Sequence, residues 1–188
     1  MSNIPEWESN GLLPPVWPSE SPVSLHRSPY QSSLIDFIEH FGTTLERLAL
    51  LNNFLKYRTA LNNLGIIQGF QWIDGSFVEN VEFLQNRSPH DIDVVTFYRI
   101  PPNETQLSLF QKNEKLFTPG EVKKSFNIDS YMIEIERWSI KNITYWYSLW
   151  SHTRHGIWKG FIELSLAPSN DTAALMRLNE LQEELQNA

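Results

Sequence analysis

Asp91 and Asp93 alternate with apolar residues in the stretch PHDIDVV, and a Gly75-Ser76 pair precedes them, directly after the run FQWID. Successive side chains of a strand point to opposite faces, so these two carboxylates project from one side, roughly 7 Å apart at a rise of about 3.3 Å per residue. Two acids so placed can hold Mg2+ or Mn2+, because hard divalent cations take oxygen ligands and keep open positions for water and substrate phosphates. Ile92, Val94 and Val95 read as a buried strand. Burying an unpaired carboxylate pair would cost on the order of several kcal/mol, so the acids belong at a solvent-accessible strand end. Two solvated acids at a sheet edge are the alternative. Glycine at 75 lets the backbone approach a phosphate, and a helix starting at Ser76 would offer free N–H groups and a positive dipole end. A plain turn fits the same two residues.

Arg154 and Lys159 are the next candidates. Trp146, Trp150 and Arg154 recur every four residues, which places them along one helical face, with Lys159 opening the strand that follows. Arginine clamps phosphate oxygens bidentately and lysine acts as a point charge, so the pair could hold phosphate groups. A surface ion pair is the alternative, and a Trp stripe at this spacing fits a core face as well as a base-stacking platform. His26, His40, His90, His152 and His155 form no metal-ligand pattern. Ser76 lacks the Gly-x-Ser-x-Gly elbow of a serine hydrolase.

These residues need a scaffold, and composition bounds it. The 188 residues, 41% hydrophobic and 13% aromatic, suit one packed domain. Zero cysteines exclude disulfides, thiolate metal sites and cysteine nucleophiles. The net charge of −7 argues against strong nonspecific nucleic-acid binding. Lys112, Lys115, Lys123 and Lys124 cluster, and read as a solvated helix face. No apolar run is long enough for a membrane span, and the N-terminal residues lack a signal-peptide pattern, so the expected location is cytoplasmic.

Residues 1–31 are rich in Pro and Ser and read as an extended arm that wraps the domain formed by 32–188. Helical spacing of Leu34, Ile38, Phe41, Leu45, Leu48, Leu51 and Leu55 predicts two helices, or one broken near Gly42, with a Thr43–Glu46 capping box. FQWID, DIDVVTFYRI, FNIDSYMIEI and GFIELSL read as strands. Between them lie a helix capped by Asn103 and running through Phe117, a short helix from Thr118-Pro119, and a helix over SIKNITYWYSLW. Asp171–Gln186 reads as an amphipathic terminal helix presenting Leu175, Leu178, Leu181 and Leu185. Interleaved strands and helices predict an α/β or α+β class, a small mixed sheet flanked by helices in one domain.

The order of strand, Gly-Ser turn, spacer and Asp-hydrophobic-Asp resembles the polymerase-beta type nucleotidyltransferase superfamily. Within it GLLPP, WIDGSF, PHDIDVV and RHGIWKGFIELSL resemble a family of small bacterial stand-alone nucleotidyltransferase-like proteins, over about Gly11 to Leu166. The resemblance implies Mg2+- or Mn2+-dependent transfer of a nucleoside monophosphate from a triphosphate to a protein, tRNA or nucleotide acceptor, with pyrophosphate leaving. Such proteins tend to act in toxin–antitoxin or antiphage systems, with a protein partner or a homo-oligomer as possible assemblies. It also implies a third carboxylate on a neighbouring strand, for which Asp129, Glu134 and Glu136 are candidates. Parity and position favour Asp129, which shares a face with Tyr131 and Ile133. The implied set is thus Asp91, Asp93 and Asp129 as catalytic and metal-binding residues, with Gly75, Ser76, Arg154 and Lys159 at the phosphates. The chain departs from the superfamily pattern at Asp74, where an apolar residue usually stands, and in its spacer of fourteen residues between Ser76 and Asp91, within which VEFLQNRS reads as a loop insertion. A rival reading is a non-catalytic module that retains the fold to bind a nucleotide or a partner.

Overall fold

A computed structural model describes residues 3–137 and 140–187. The aromatic and β-branched runs pair into one five-stranded mixed sheet: β1 (Tyr30–Ser32), β2 (Gly69–Asp74), β3 (Ile92–Tyr98), β4 (Ile128–Glu134) and β5 (Ile162–Ser165), in the order β1-β5-β2-β3-β4. β2 runs antiparallel to both of its neighbours, whereas β1–β5 and β3–β4 are parallel. The helices are α1 (Leu34–Phe41), α2 (Leu45–Asn63), α3 (Val81–Gln85), α4 (Gln106–Lys112), α5 (Pro119–Phe126), α6 (Ile140–Trp150) and α7 (Asp171–Gln186). The chain is a single mixed α/β domain.

Strand parity divides the core. One sheet face sends Ile73, Ile92, Val94 and Ile128 into the main core, against Phe37 and Phe41 of α1, Leu51 and Phe54 of α2, and Leu178 of α7. Each such side chain, once fully buried, contributes roughly 1.5–3 kcal/mol. The opposite face carries a smaller cluster of Trp72, Val95, Phe97 and Phe161 under Trp150 of α6. Asp93 shares the parity of Val95 and Phe97, so it emerges on this thinly covered face.

Local chemistry shifts several expected boundaries. Thr44, not Thr43, caps α2, its hydroxyl accepting from the Arg47 N–H. Thr105 caps α4 in a capping box with Ser108, while Asn103 sits at φ 64 in the preceding turn. The expected helix through Phe117 is α4 followed by a 3₁₀ turn, Glu114–Phe117. The fourteen-residue spacer is not a plain loop: it holds α3, capped by Asn80. α7 buries Ala174 and Leu178 and packs Leu181, but leaves Leu175 and Leu185 exposed, so its apolar stripe is narrower than the four leucines. Ser139 of the expected α6 segment lies outside the described residues.

The boundary expected between residues 31 and 32 falls inside β1, and the preceding segment belongs to the domain. Ile4, Leu12 and Leu13 are buried, and the Trp7 indole donates to the Val78 carbonyl at 2.8 Å. Backbone bonds join Asn80 N–H to the Gly11 carbonyl and Gly160 N–H to the Leu13 carbonyl. Among the described residues no helix is long and apolar enough to cross a membrane.

Candidate active site

The strand registers line up acids. β2 places Asp74 opposite Asp93, and β4 places Asp129 opposite Asp93 on the other side, so one carboxylate from each of three adjacent strands stands in a row at one end of the sheet. Asp91, just ahead of β3, joins them. Burial pushes the Asp93 carboxyl up to about 6, and the neighbouring charges of Asp91 and Asp129 push the same way. A cation between these groups would relieve that repulsion.

Lys123 already does part of this. It sits in the last turn of α5, which ends at Asn127 in a left-handed conformation and passes directly into β4. Its ammonium lies 2.7 Å from Asp91 Oδ2 and 3.2 Å from Asp129 Oδ2. Hydrogen bonds to Asp91 and Asp129 hold it charged, above its ordinary value. The reading of the 112–124 lysines as a wholly solvated face therefore fails at Lys123. Among the described residues no three His, Asp or Glu side chains converge in a geometry that would hold a metal ion, and the Lys123 ammonium stands between two of the three expected ligands.

Behind this row lies a buried charge network. Lys159 is 2% exposed and its Nζ reaches Asp74 Oδ1 and Glu79 Oε1, both at 2.8 Å. Burial works against its charge, but Asp74 and Glu79 outweigh that and keep the ammonium protonated. Burial likewise pushes Asp74 up, against the pull of Lys159. The residue that breaks the superfamily pattern at position 74 is thus the partner of a lysine 85 positions away in the chain. Lys159 does not stand free for a phosphate, contrary to its expected role. Arg154 also departs from expectation: α6 stops at Trp150, and Arg154 lies exposed in the loop beyond it.

Gly75 takes φ +77, and a Cβ there would meet Asp93 Oδ2 at 1.7 Å, so the turn and the central acid require glycine. The element that starts there is a four-residue 3₁₀ turn, Gly75–Val78, rather than an α-helix, so the expected dipole at half-buried Ser76 is slight. Arg47 of α2 pins this turn from below. Fully buried between the Trp7 and Phe77 rings, it donates to the Phe77 and Glu79 carbonyls at 2.6 and 2.7 Å and pairs with Glu82. Of the other third-acid candidates, Glu134 pairs with Arg137 at 3.1 Å and Glu136 with Arg99 at 2.6 Å, at the far end of β4. The structure therefore brings together Asp91, Asp93, Asp129 and Gly75, with Ser76 adjacent, and leaves Arg154 outside.

Sequence reasoning missed Lys123, the Asp74–Lys159–Glu79 network and Arg47. Only one carried a signal: an aspartate closing an otherwise apolar strand needs a buried partner. No curated protein and no solved structure matches the chain. A family model described as a family of unknown function (DUF6932) matches residues 5–165, so the chain belongs to that family.

Proposed function

We propose that the protein is a metal-dependent nucleotidyltransferase that moves a nucleoside monophosphate from a triphosphate to a hydroxyl acceptor, releasing pyrophosphate. One observation carries this reading: the registers that set Asp93 beside Asp129 across the parallel β3–β4 pair, with Asp91 at the mouth and Gly75 against Asp93. Two carboxylates on adjacent strands and a third just ahead of β3, with Asp93 destabilised as an anion by burial and then by its neighbours, are the oxygen ligands that a hard divalent cation takes. Asp91, Asp93 and Asp129 would hold Mg2+ or Mn2+, which when bound supplies charge neutralisation at the phosphates and polarises the attacking oxygen. Asp129, on the outermost of the three strands, is placed to receive the proton of the attacking hydroxyl. The Gly75 turn offers close backbone approach to the departing phosphates. With a cation held by these carboxylates, the Lys123 ammonium that now pairs with Asp91 and Asp129 would be released and could pair with a phosphate instead.

The acceptor is a protein, tRNA or nucleotide, and the toxin–antitoxin or antiphage setting belongs to the same proposal. The test is mass spectrometry of the protein incubated with Mn2+, isotopically labelled triphosphates and cell extract. A labelled monophosphate adduct on the protein or an acceptor, or a labelled nucleotide product, is expected. No label transfer with any of the four triphosphates rejects the enzyme. The Lys123 bridge favours a second reading, a binding module in which a built-in ammonium has replaced the metal; nucleotide affinity indifferent to Mn2+ would select it.

A further inference from the structure

Among the described residues β4 is the terminal strand of the sheet, and its outer edge has no strand partner. The Ile92 N–H donates to the Asn127 carbonyl at 3.1 Å, and with Ile92 opposite Ile128 this phase of the ladder turns the amides of Asp129 and Tyr131 toward β3. The N–H and C=O groups of Ser130 and Met132 point away from it, and among the described residues no backbone hydrogen bond takes them up. Both residues line a cavity of about 580 Å³ whose walls include Phe110 of α4, Tyr131 of β4 and Trp146 of α6.

Tyr131, in the cavity wall, links it to the acid row. Tyr131 follows Asp129 by two positions on the same strand face, roughly 7 Å along, close to the span of a ribose between an α-phosphate and its base. The Tyr131 and Trp146 rings lie 4.7 Å apart at 53°, and Tyr145 packs 5.3 Å from Trp146. Tyr131 is nevertheless 41% exposed. This leaves an aromatic wall facing water where a flat ring would cover it.

We propose that this cavity binds the purine base of the nucleotide, stacked on Tyr131 and Trp146, with its phosphates reaching back along β4 to Asp91, Asp93 and Asp129. The inference rests on the nucleotidyltransferase reading, which puts the phosphates at those acids. Adenine carries a ring-nitrogen acceptor beside an exocyclic amino donor, and the free N–H and C=O groups of an edge strand complement that pair. Aromatic walls favour a planar ring over the alternating side chains of an added peptide strand, which would use the same edge.

Calorimetric titration of the intact protein with ATP, and separately with inorganic tripolyphosphate, each with Mn2+, tests this. Tyr131→Ala and Trp146→Ala should weaken ATP about tenfold, in line with what one base stacked on an aromatic ring contributes, and leave tripolyphosphate unchanged. Tyr131→Phe should keep the wild-type ATP affinity. Unchanged tripolyphosphate affinity in the alanine variants also reports that the fold survives. ATP affinity that is unaffected by both variants, or that falls in step with tripolyphosphate, overturns the base site and leaves the phosphate reading standing. Failure of both ligands to bind the wild type rejects the nucleotidyltransferase reading and the base site with it.

Discussion

Asp93 is the residue on which the site turns, and its environment sets a measurable pH dependence. Its carboxyl is raised from 3.8 to about 6 in the folded chain. Between those values the folded state therefore binds more protons than the unfolded state, and the contribution of Asp93 to stability falls as pH rises through that window. Asp93→Asn removes the penalty. The gain in stability of the variant over wild type, read by chemical denaturation, should be small at pH 4, grow through pH 6 and stay level above it, reaching on the order of 2 kcal/mol. A difference constant across that range would show that Asp93 is not strained by its neighbours. Asp129 differs, since it is partly exposed and paired with Lys123. Asp129→Asn should abolish transfer while the circular dichroism spectrum stays native, and Glu134→Gln should leave transfer within about twofold. A dead Glu134→Gln enzyme would place the third acid wrongly.

Turns and helix ends decide how those residues are held. Gly75→Ala drives a methyl group into Asp93 and forces a positive φ on alanine. Its expected cost is about 2 kcal/mol or more of stability, together with loss of transfer; a native melting temperature would show that the turn can relax. Lys159→Met leaves Asp74 and Glu79 without their cation in the interior, and removing one partner of a buried pair costs roughly 3–5 kcal/mol. Chemical denaturation should show that loss directly. A stable Lys159→Met protein with weakened nucleotide binding would return this lysine to the phosphates. Most elements were legible because they rest on periodicity: the strands at 69–74, 92–98 and 128–134, and a terminal helix whose bounds match Asp171–Gln186. The misses have local causes. α3 is five residues long, too short for a helical period to appear. The three-residue β1 gains its identity only by pairing with β5, more than 120 positions later.

At the scale of the whole molecule, the acids were readable and the cations were not. Asp91 and Asp93 announce themselves by alternation within a strand, a property of consecutive residues, whereas Asp129 is implied only by the resemblance and is sorted from Glu134 and Glu136 by parity. Lys123 and Lys159 find their partners through the path of the chain between elements, which no local period encodes: Lys123 by the α5–β4 turn, Lys159 by the antiparallel return of β5 along β2. The N-terminal segment behaves the same way, since Trp7 reaches Val78 across 71 positions and completes the pocket around Arg47. Trp7→Ala should cost roughly 3 kcal/mol, as large aromatic truncations do, and an unchanged denaturation midpoint would demote the segment to a loose arm. Whether the acid row holds a divalent cation for a nucleotide is read from the melting temperature with Mn2+ plus ATP in wild type, Asp91→Asn and Asp93→Asn. Binding to the folded state alone must raise the melting temperature. Wild type should show a rise that depends on both Mn2+ and ATP together and is lost in both variants, while their apo melting temperatures hold or increase. An equal nucleotide-dependent rise in all three proteins, with lower apo values in the variants, would contradict it and make these aspartates structural.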